Sequence, residues 1–249
     1  MTEPTRYYAR FSEAKDYDKL MEFYDSNQHK NVWKRDPALM KEMIDQSNVV
    51  FLEDEAGKIV ASSITYPYYV TGADGKKDLK WYEIGTLRSA LHGFGLIDAL
   101  VPLQTLRSFI VNPPSDRFLA HMETTQVQGM AKALGFRAFE PVQEIFNTKA
   151  AMNPAYKDNE GLTHGWHRGG IETMPVMARA LVKFFDNPVI TNEHTGEQIV
   201  LDFSRSNFCQ TFEPAIRKLA VTNLGDIDNQ DLSKSIKQEE KKLVNAYYH

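Results

Sequence analysis

The sequence predicts an α+β fold, with strands and helices alternating over roughly residues 1–150 and an α-rich extension over 151–249. Three observations predict it. Two β-rich runs, 48–53 and 58–64, flank the short turn Asp54-Glu55-Ala56-Gly57, as a hairpin requires. Apolar residues recur three and four apart in Tyr17, Leu20, Met21 and Tyr24, and again in Leu39, Met40, Met43 and Ile44, which is the period of a helix with one buried face. A glycine-rich bend, Ala90 to Leu96, joins a strand-like run to the long apolar stretch Ile97 to Ile110.

Taken in order, the run 7–11 predicts a first strand, and Ser12 to Asp16 a polar turn leading into the first helix. Asp36-Pro37 is an acidic cap followed by a proline preorganised for the first helical turn, so a second helix is expected to about Gln46. The hairpin follows, and after the turn-rich segment 71–75 a third strand is expected from about Leu79 to Leu87. Pro102 lacks an N–H and is expected to kink or shorten the helix after the bend. Beyond Asn112-Pro113-Pro114 a strand is expected over 117–123, then a helix over 126–134 closed by Gly135. A last strand pair is expected at 137–139 and 144–146.

The composition narrows the function classes. The chain has 249 residues, 42% hydrophobic and 25% charged, the balance of a folded globular protein. Its net charge of -4 supplies no general attraction to phosphate backbones or anionic lipid, so neither nucleic acid nor membrane is an expected partner. One cysteine, Cys209, excludes an internal disulfide and a multi-cysteine zinc site. Met1-Thr2-Glu3-Pro4 opens without a basic region and apolar run, and no stretch approaches the roughly 20 apolar residues of a membrane helix. The expected setting is a reducing cytoplasm, or a virion assembled within one.

Three pieces in order, Arg10 with Asp16, Tyr82-Glu83-Ile84-Gly85 leading to Gly93-Phe94-Gly95, and Ala131 to Phe136, resemble the GNAT superfamily of acyl-CoA N-acyltransferases over about residues 6–149. The resemblance implies a mixed, mostly antiparallel central sheet flanked by helices, and acetyl-CoA or another acyl-CoA as co-substrate. It further implies that Thr86, Leu87 and Arg88 lie on a strand that splays from its neighbour and pairs with the pantetheine arm. The amides of Leu91, His92, Gly93, Phe94, Gly95 and Leu96 would cradle the diphosphate, a role suited to glycines at a helix N-terminus. Glu83 is the implied general base, with His121 and Glu123 as further residues facing the acceptor, a small-molecule or protein amine.

Three features depart from the family pattern, one of them a loop between Glu83 and Gly93 several residues shorter than usual. Ala90 stands where the phosphate loop commonly begins with glutamine or arginine, and Ala131 stands where a tyrosine often protonates the leaving thiolate. They motivate an alternative, a catalytically inactive GNAT-like binding or structural protein such as a phage virion component. No metal site is expected: His164 and His167 sit among glycines that oppose a helix, and read as a loop. Cys209 reads as a small buried hydrophobe.

In the extension, Ile171, Met174, Met177, Ala178, Leu181, Val182 and Phe185 form an apolar helical face, and runs at 189–191 and 198–203 read as a hairpin. These faces need burial against the first domain, a second copy or a larger assembly. The charged segment 231–245 reads as an exposed helix or partner-binding tail.

Overall fold

The computed structural model describes residues 3–28, 36–111, 118–122, 125–138 and 165–222. The fold is α+β. Nine strands form one mixed sheet: β1 (Thr5–Phe11), β2 (Val49–Glu53), β3 (Ile59–Thr71), β4 (Lys77–Ser89), β5 (Phe118–His121), β6 (Arg137–Ala138), β7 (Trp166–Gly169), β8 (Val189–Thr191) and β9 (Gln198–Asp202). Their spatial order is β6-β7-β5-β4-β3-β2-β1-β9-β8. Among the described strands only β1–β9 and β4–β5 are parallel, so the mostly antiparallel sheet expected from the resemblance is present. From β1 to β6 the order of strands and helices is also the expected one.

Among the described residues six α-helices cover the two faces: α1 (Tyr17–Ser26), α2 (Pro37–Asp45), α3 (Ile97–Val111), α4 (Thr125–Ala133), α5 (Met174–Asp186) and α6 (Asn207–Ala220). On one face, Leu20, Phe23, Met40, Met43 and Ile44 of α1 and α2 pack on Val49, Phe51, Ile64, Tyr66, Trp81 and Leu119. On the other, α3, α5 and α6 cover Ala9, Val50, Leu52, Tyr82, Ile84, Phe118, Ile199 and Leu201. The central strands are thus buried on both sides, which is why Val49-Val50-Phe51-Leu52 reads as an unbroken apolar run without alternation.

Local chemistry sets the element ends. The Asp36 carboxylate accepts from Ala38 N at 2.8 Å and Leu39 N at 3.2 Å, with Pro37 in the first turn, so α2 starts as the sequence predicts. Gly135 follows α4 at φ +90°, a conformation that glycine enters without a Cβ penalty. α3 continues through Pro102 to Val111, so the expected shortening does not occur. It is nearly all buried under α5 and the sheet, so packing offsets one missing hydrogen bond.

Two further expectations change. β3 continues well past the run expected to end at 64, with Tyr66 to Thr71 in register with β4 from Tyr66↔Glu83 to Thr71↔Lys77. The residues 144–146, expected as a strand, lie outside the described residues, and the strand that flanks β5 is Trp166–Gly169. His167 therefore sits in a strand, 1% exposed, with Nδ1 3.0 Å from Gly165 O, and not in a loop. β8 and β9 of the extension join the same sheet at its β1 edge.

Candidate active site

The site is built where β4 and β5 separate. Their parallel ladder holds only Tyr82↔Phe118 and Glu83↔Leu119, although β4 runs on to Ser89 and β5 to His121. β5 instead follows β7, in register to His121↔Trp166, with Met122 N donating to Gly165 O at 2.9 Å. From Ile84 onward, no described strand pairs with β4 on its β5 side. This is the parting that the resemblance implies.

At the same level β4 bulges against β3. The register passes from Ser62↔Arg88 to Ile64↔Gly85, which leaves one extra residue in β4. Thr86 occupies the bulge at φ +51°, a conformation that costs a β-branched residue on the order of 1–3 kcal/mol. The Tyr66 hydroxyl and Thr86 Oγ1, 2.7 Å apart, hold it there. Strain of this kind persists where surrounding contacts over-determine it, and here it lies beside the opening.

The pairing register places Tyr66, Glu83, Leu119 and Arg168 in one row on the α1–α2 face. Glu83 is 3% exposed. A Cβ added at Gly85 would lie 3.8 Å from Glu83 Oε1 and 3.7 Å from the Tyr66 ring, so the missing side chain keeps space open beside the carboxylate. His121, two residues beyond Leu119, shares that face, and its ring centroid is 5.1 Å from that of Trp166. Two of the three expected catalytic residues, Glu83 and His121, thus come to one face at the parting; Glu123 lies outside the described residues. Trp166 went unnoticed in the sequence because nothing local marks it as a neighbour of β5.

The bend between β4 and α3 is anchored by side chains and open along its main chain. Phe94 and Leu96, each 5% exposed, point into the core, while Gly93 and Gly95, one before each of them, are exposed at φ +80° and +62°. Ser89 Oγ bridges Leu91, accepting from its N–H at 3.0 Å and donating to its carbonyl at 2.7 Å. Among the described residues, no acceptor meets the N–H of His92, Gly93, Phe94, Gly95 or Leu96. These donors stand at the N-terminus of a fifteen-residue helix, where the aligned peptide dipoles favour an anion.

Other expected coenzyme contacts look elsewhere. The Arg88 guanidinium donates to Asn27 O at the end of α1, so it pins that helix rather than reaching toward the bend. Thr86 engages Tyr66, which leaves only its main chain for a ligand, and Leu87 packs against the core beneath α3. Ala131 is 2% exposed within that core, with no hydroxyl to offer.

Asp98, in the first turn of α3, opposes an anion at the bend. Burial raises its pKa above the ordinary carboxylate value, against a smaller lowering by Lys183. As pH falls through that raised value the carboxylate is neutralised and the repulsion goes. An anion held at the bend is therefore expected to bind more tightly as pH falls through that range. Asp98→Asn should strengthen binding by on the order of tenfold at neutral pH and flatten this pH dependence, as isothermal calorimetry would show.

Cys209 is 2% exposed, and burial pushes its thiol up to about 12, which makes it a packed hydrophobe and not a nucleophile. Among the described residues no group of His, Cys, Asp and Glu could hold a metal ion, and no helix is long and apolar enough to cross a membrane.

No family model matches the chain, and no curated protein matches it. Solved structures do. A Mycobacterium tuberculosis protein, Rv2747, crystallised with CoA and NLQ, is 17% identical, with a TM-score of 0.46 over 64% of this chain and 95% of that one. The Escherichia coli GNAT family N-acetyltransferase YhbS, in complex with CoA, is 15% identical, with a TM-score of 0.46 over 73% and 88%. A Sinorhizobium meliloti phosphinothricin acetyltransferase with acetyl-CoA is 17% identical, with a TM-score of 0.40 over 52% and 74%. Likeness at this level assigns neither activity nor acceptor.

Proposed function

We propose that this chain is a GNAT-type N-acyltransferase that moves an acyl group, in the simplest case acetyl, from coenzyme A to an amine. The observation that carries the reading is the parting of β4 from β5 before a bend whose amides from His92 to Leu96 meet no acceptor among the described residues. Extended main chain and an anion-favouring turn in succession match the two chemical parts of the coenzyme, an amide-bearing arm and a diphosphate. The residues present fit the group: main-chain groups of Thr86, Leu87 and Arg88 would pair with the arm, and the amides from His92 to Leu96 would receive the diphosphate, while the Leu91 amide expected to join them is taken by Ser89 Oγ.

When bound, the coenzyme supplies an activated thioester carbonyl. The protein's part is to bind, orient and move a proton. The bulge at Thr86 turns main-chain groups of β4 out of the β3 ladder, where an N–H can polarise a carbonyl. Glu83, buried on the α1–α2 face one step below the parting, would take the proton of an attacking amine. His121 across the opening would orient that amine. The acceptor is an amine on a small molecule or a protein. The expected location is cytoplasmic.

A second reading, a GNAT-like protein that has lost catalysis and serves as a binding or virion component, is favoured by two observations. Ala131 supplies no acid for the thiolate, and Asp98 opposes the diphosphate. Binding separates the two. With acetyl-CoA at a hundredfold excess over its dissociation constant, the folded state gains about 2.7 kcal/mol, and the melting temperature should rise by roughly 5–10 °C. No shift with acetyl-CoA or longer acyl-CoAs would remove the enzymatic reading.

A further inference from the structure

We infer that the β8–β9 hairpin, outside the segment that carries the GNAT resemblance, is a working part of the coenzyme site, with Asn192 as the residue that orients the anion-binding amides. The inference rests on the acyltransferase reading and adds what shapes the bend.

Asn192 follows β8 and is 6% exposed. Its acceptors are consumed within its own hairpin. Oδ1 takes the N–H groups of His194 at 2.9 Å and Thr195 at 3.1 Å, and its carbonyl takes Gly196 N at 2.9 Å. Its N–H closes the hairpin on Glu197 O at 2.7 Å. The amide Nδ2 then donates to His92 O at 2.8 Å, across 100 positions of sequence. Next to it, Glu193 N donates to Gly93 O at 3.4 Å.

Both struts hold carbonyls of the bend and neither occupies an N–H. In a trans peptide the carbonyl of one residue and the N–H of the next lie in one plane and point in opposite directions. Tying His92 O to the hairpin therefore turns Gly93 N–H away from it, and tying Gly93 O turns Phe94 N–H away likewise. The hairpin thus fixes two open donors of the bend on the side it leaves free. The fit is close: a Cβ at Gly93 would lie 2.8 Å from Asn192 Oδ1 and 2.9 Å from Nδ2, so glycine is required by contact as well as by its φ of +80°.

The test compares coenzyme A with pantetheine, which has the same arm without the diphosphate, by calorimetry on the full chain. Asn192→Asp keeps an acceptor for His194 and Thr195 but removes the donor to His92 O and sets a carboxylate against that carbonyl. It should weaken coenzyme A binding about tenfold and change pantetheine binding less than twofold. Equal weakening of both ligands, or no weakening of coenzyme A, would overturn the assignment and leave the hairpin as packing. Should Asn192→Asp not fold, Glu193→Pro removes the second strut at a turn position that accepts proline, and should weaken coenzyme A selectively, by a few-fold. If the unmutated protein binds pantetheine but coenzyme A no more tightly, the clamp has no diphosphate to serve and this inference fails alone. If it binds neither, the acyltransferase reading fails with it.

Discussion

Glu83→Gln is expected to slow acyl transfer by about 10²-fold or more while leaving the dissociation constant for acetyl-CoA unchanged, the loss typical of a removed general base. The isostere keeps size and polarity but accepts no proton. Glu83 lies on the α1–α2 face of β4, whereas the contacts proposed for the coenzyme are the main chain of Thr86 to Arg88 and the bend, so rate and affinity should separate. The measurement is a steady-state assay with acetyl-CoA against a panel of amines, beside calorimetry on the same variant. An unchanged rate would take Glu83 out of the mechanism.

Arg10→Met should destabilise the fold by about 3–5 kcal/mol, the cost of leaving buried carboxylates without their cation. The Arg10 guanidinium donates to both oxygens of Asp16 at 2.7 Å and to Glu53 at 3.0 and 3.1 Å, and it stacks over the Phe51 ring at 4.4 Å. Arg205 adds a second donor to Glu53 at 3.0 Å. The group ties β1, the start of α1 and β2 together beneath the α1–α2 face. Arg10→Lys keeps the charge but not the planar fork and should recover only part of the loss in urea denaturation.

The same cluster sets an acid limit. Burial works to raise the pKa of Asp16 and Glu53, yet the hydrogen bonds and charge of Arg10 pull both below their ordinary values of 3.8 and 4.5. A carboxylate with a depressed folded-state pKa stabilises the protein above its unfolded value, and that stability is lost as pH falls through the folded one. Stability is therefore expected to fall below about pH 4. In Arg10→Met that acid-side slope should shrink, since the groups that produced it have lost their partner.

Residues that act through near neighbours were legible. Asp36 and Pro37 announced the start of α2, the glycines at 93 and 95 announced the bend, and Arg10 with Asp16 were singled out six positions apart. Tyr66-Pro67-Tyr68-Tyr69 was not legible as strand, because proline and a following turn-rich segment mask a period that only pairing with β4 enforces. α6 was missed although Ser206 caps it, with Oγ accepting from Cys209 N at 3.3 Å, and Phe208, Phe212, Ile216 and Leu219 mark its buried face. Pro214 interrupts that spacing in the sequence, and tertiary burial carries the helix through it.

By itself the sequence determined the order of strands and helices from β1 to β6, where glycine had to sit, and that a carboxylate would stand on the strand before the bend. Those are properties of a residue and its neighbours within one or two turns, where covalent geometry and short hydrogen bonds decide. Only the tertiary structure decided that β5 leaves β4 to follow β7, that Arg88 turns to α1, and that Asn192 reaches His92. Each depends on which segments distant in sequence become neighbours, and that is settled by burying both faces of one sheet at once.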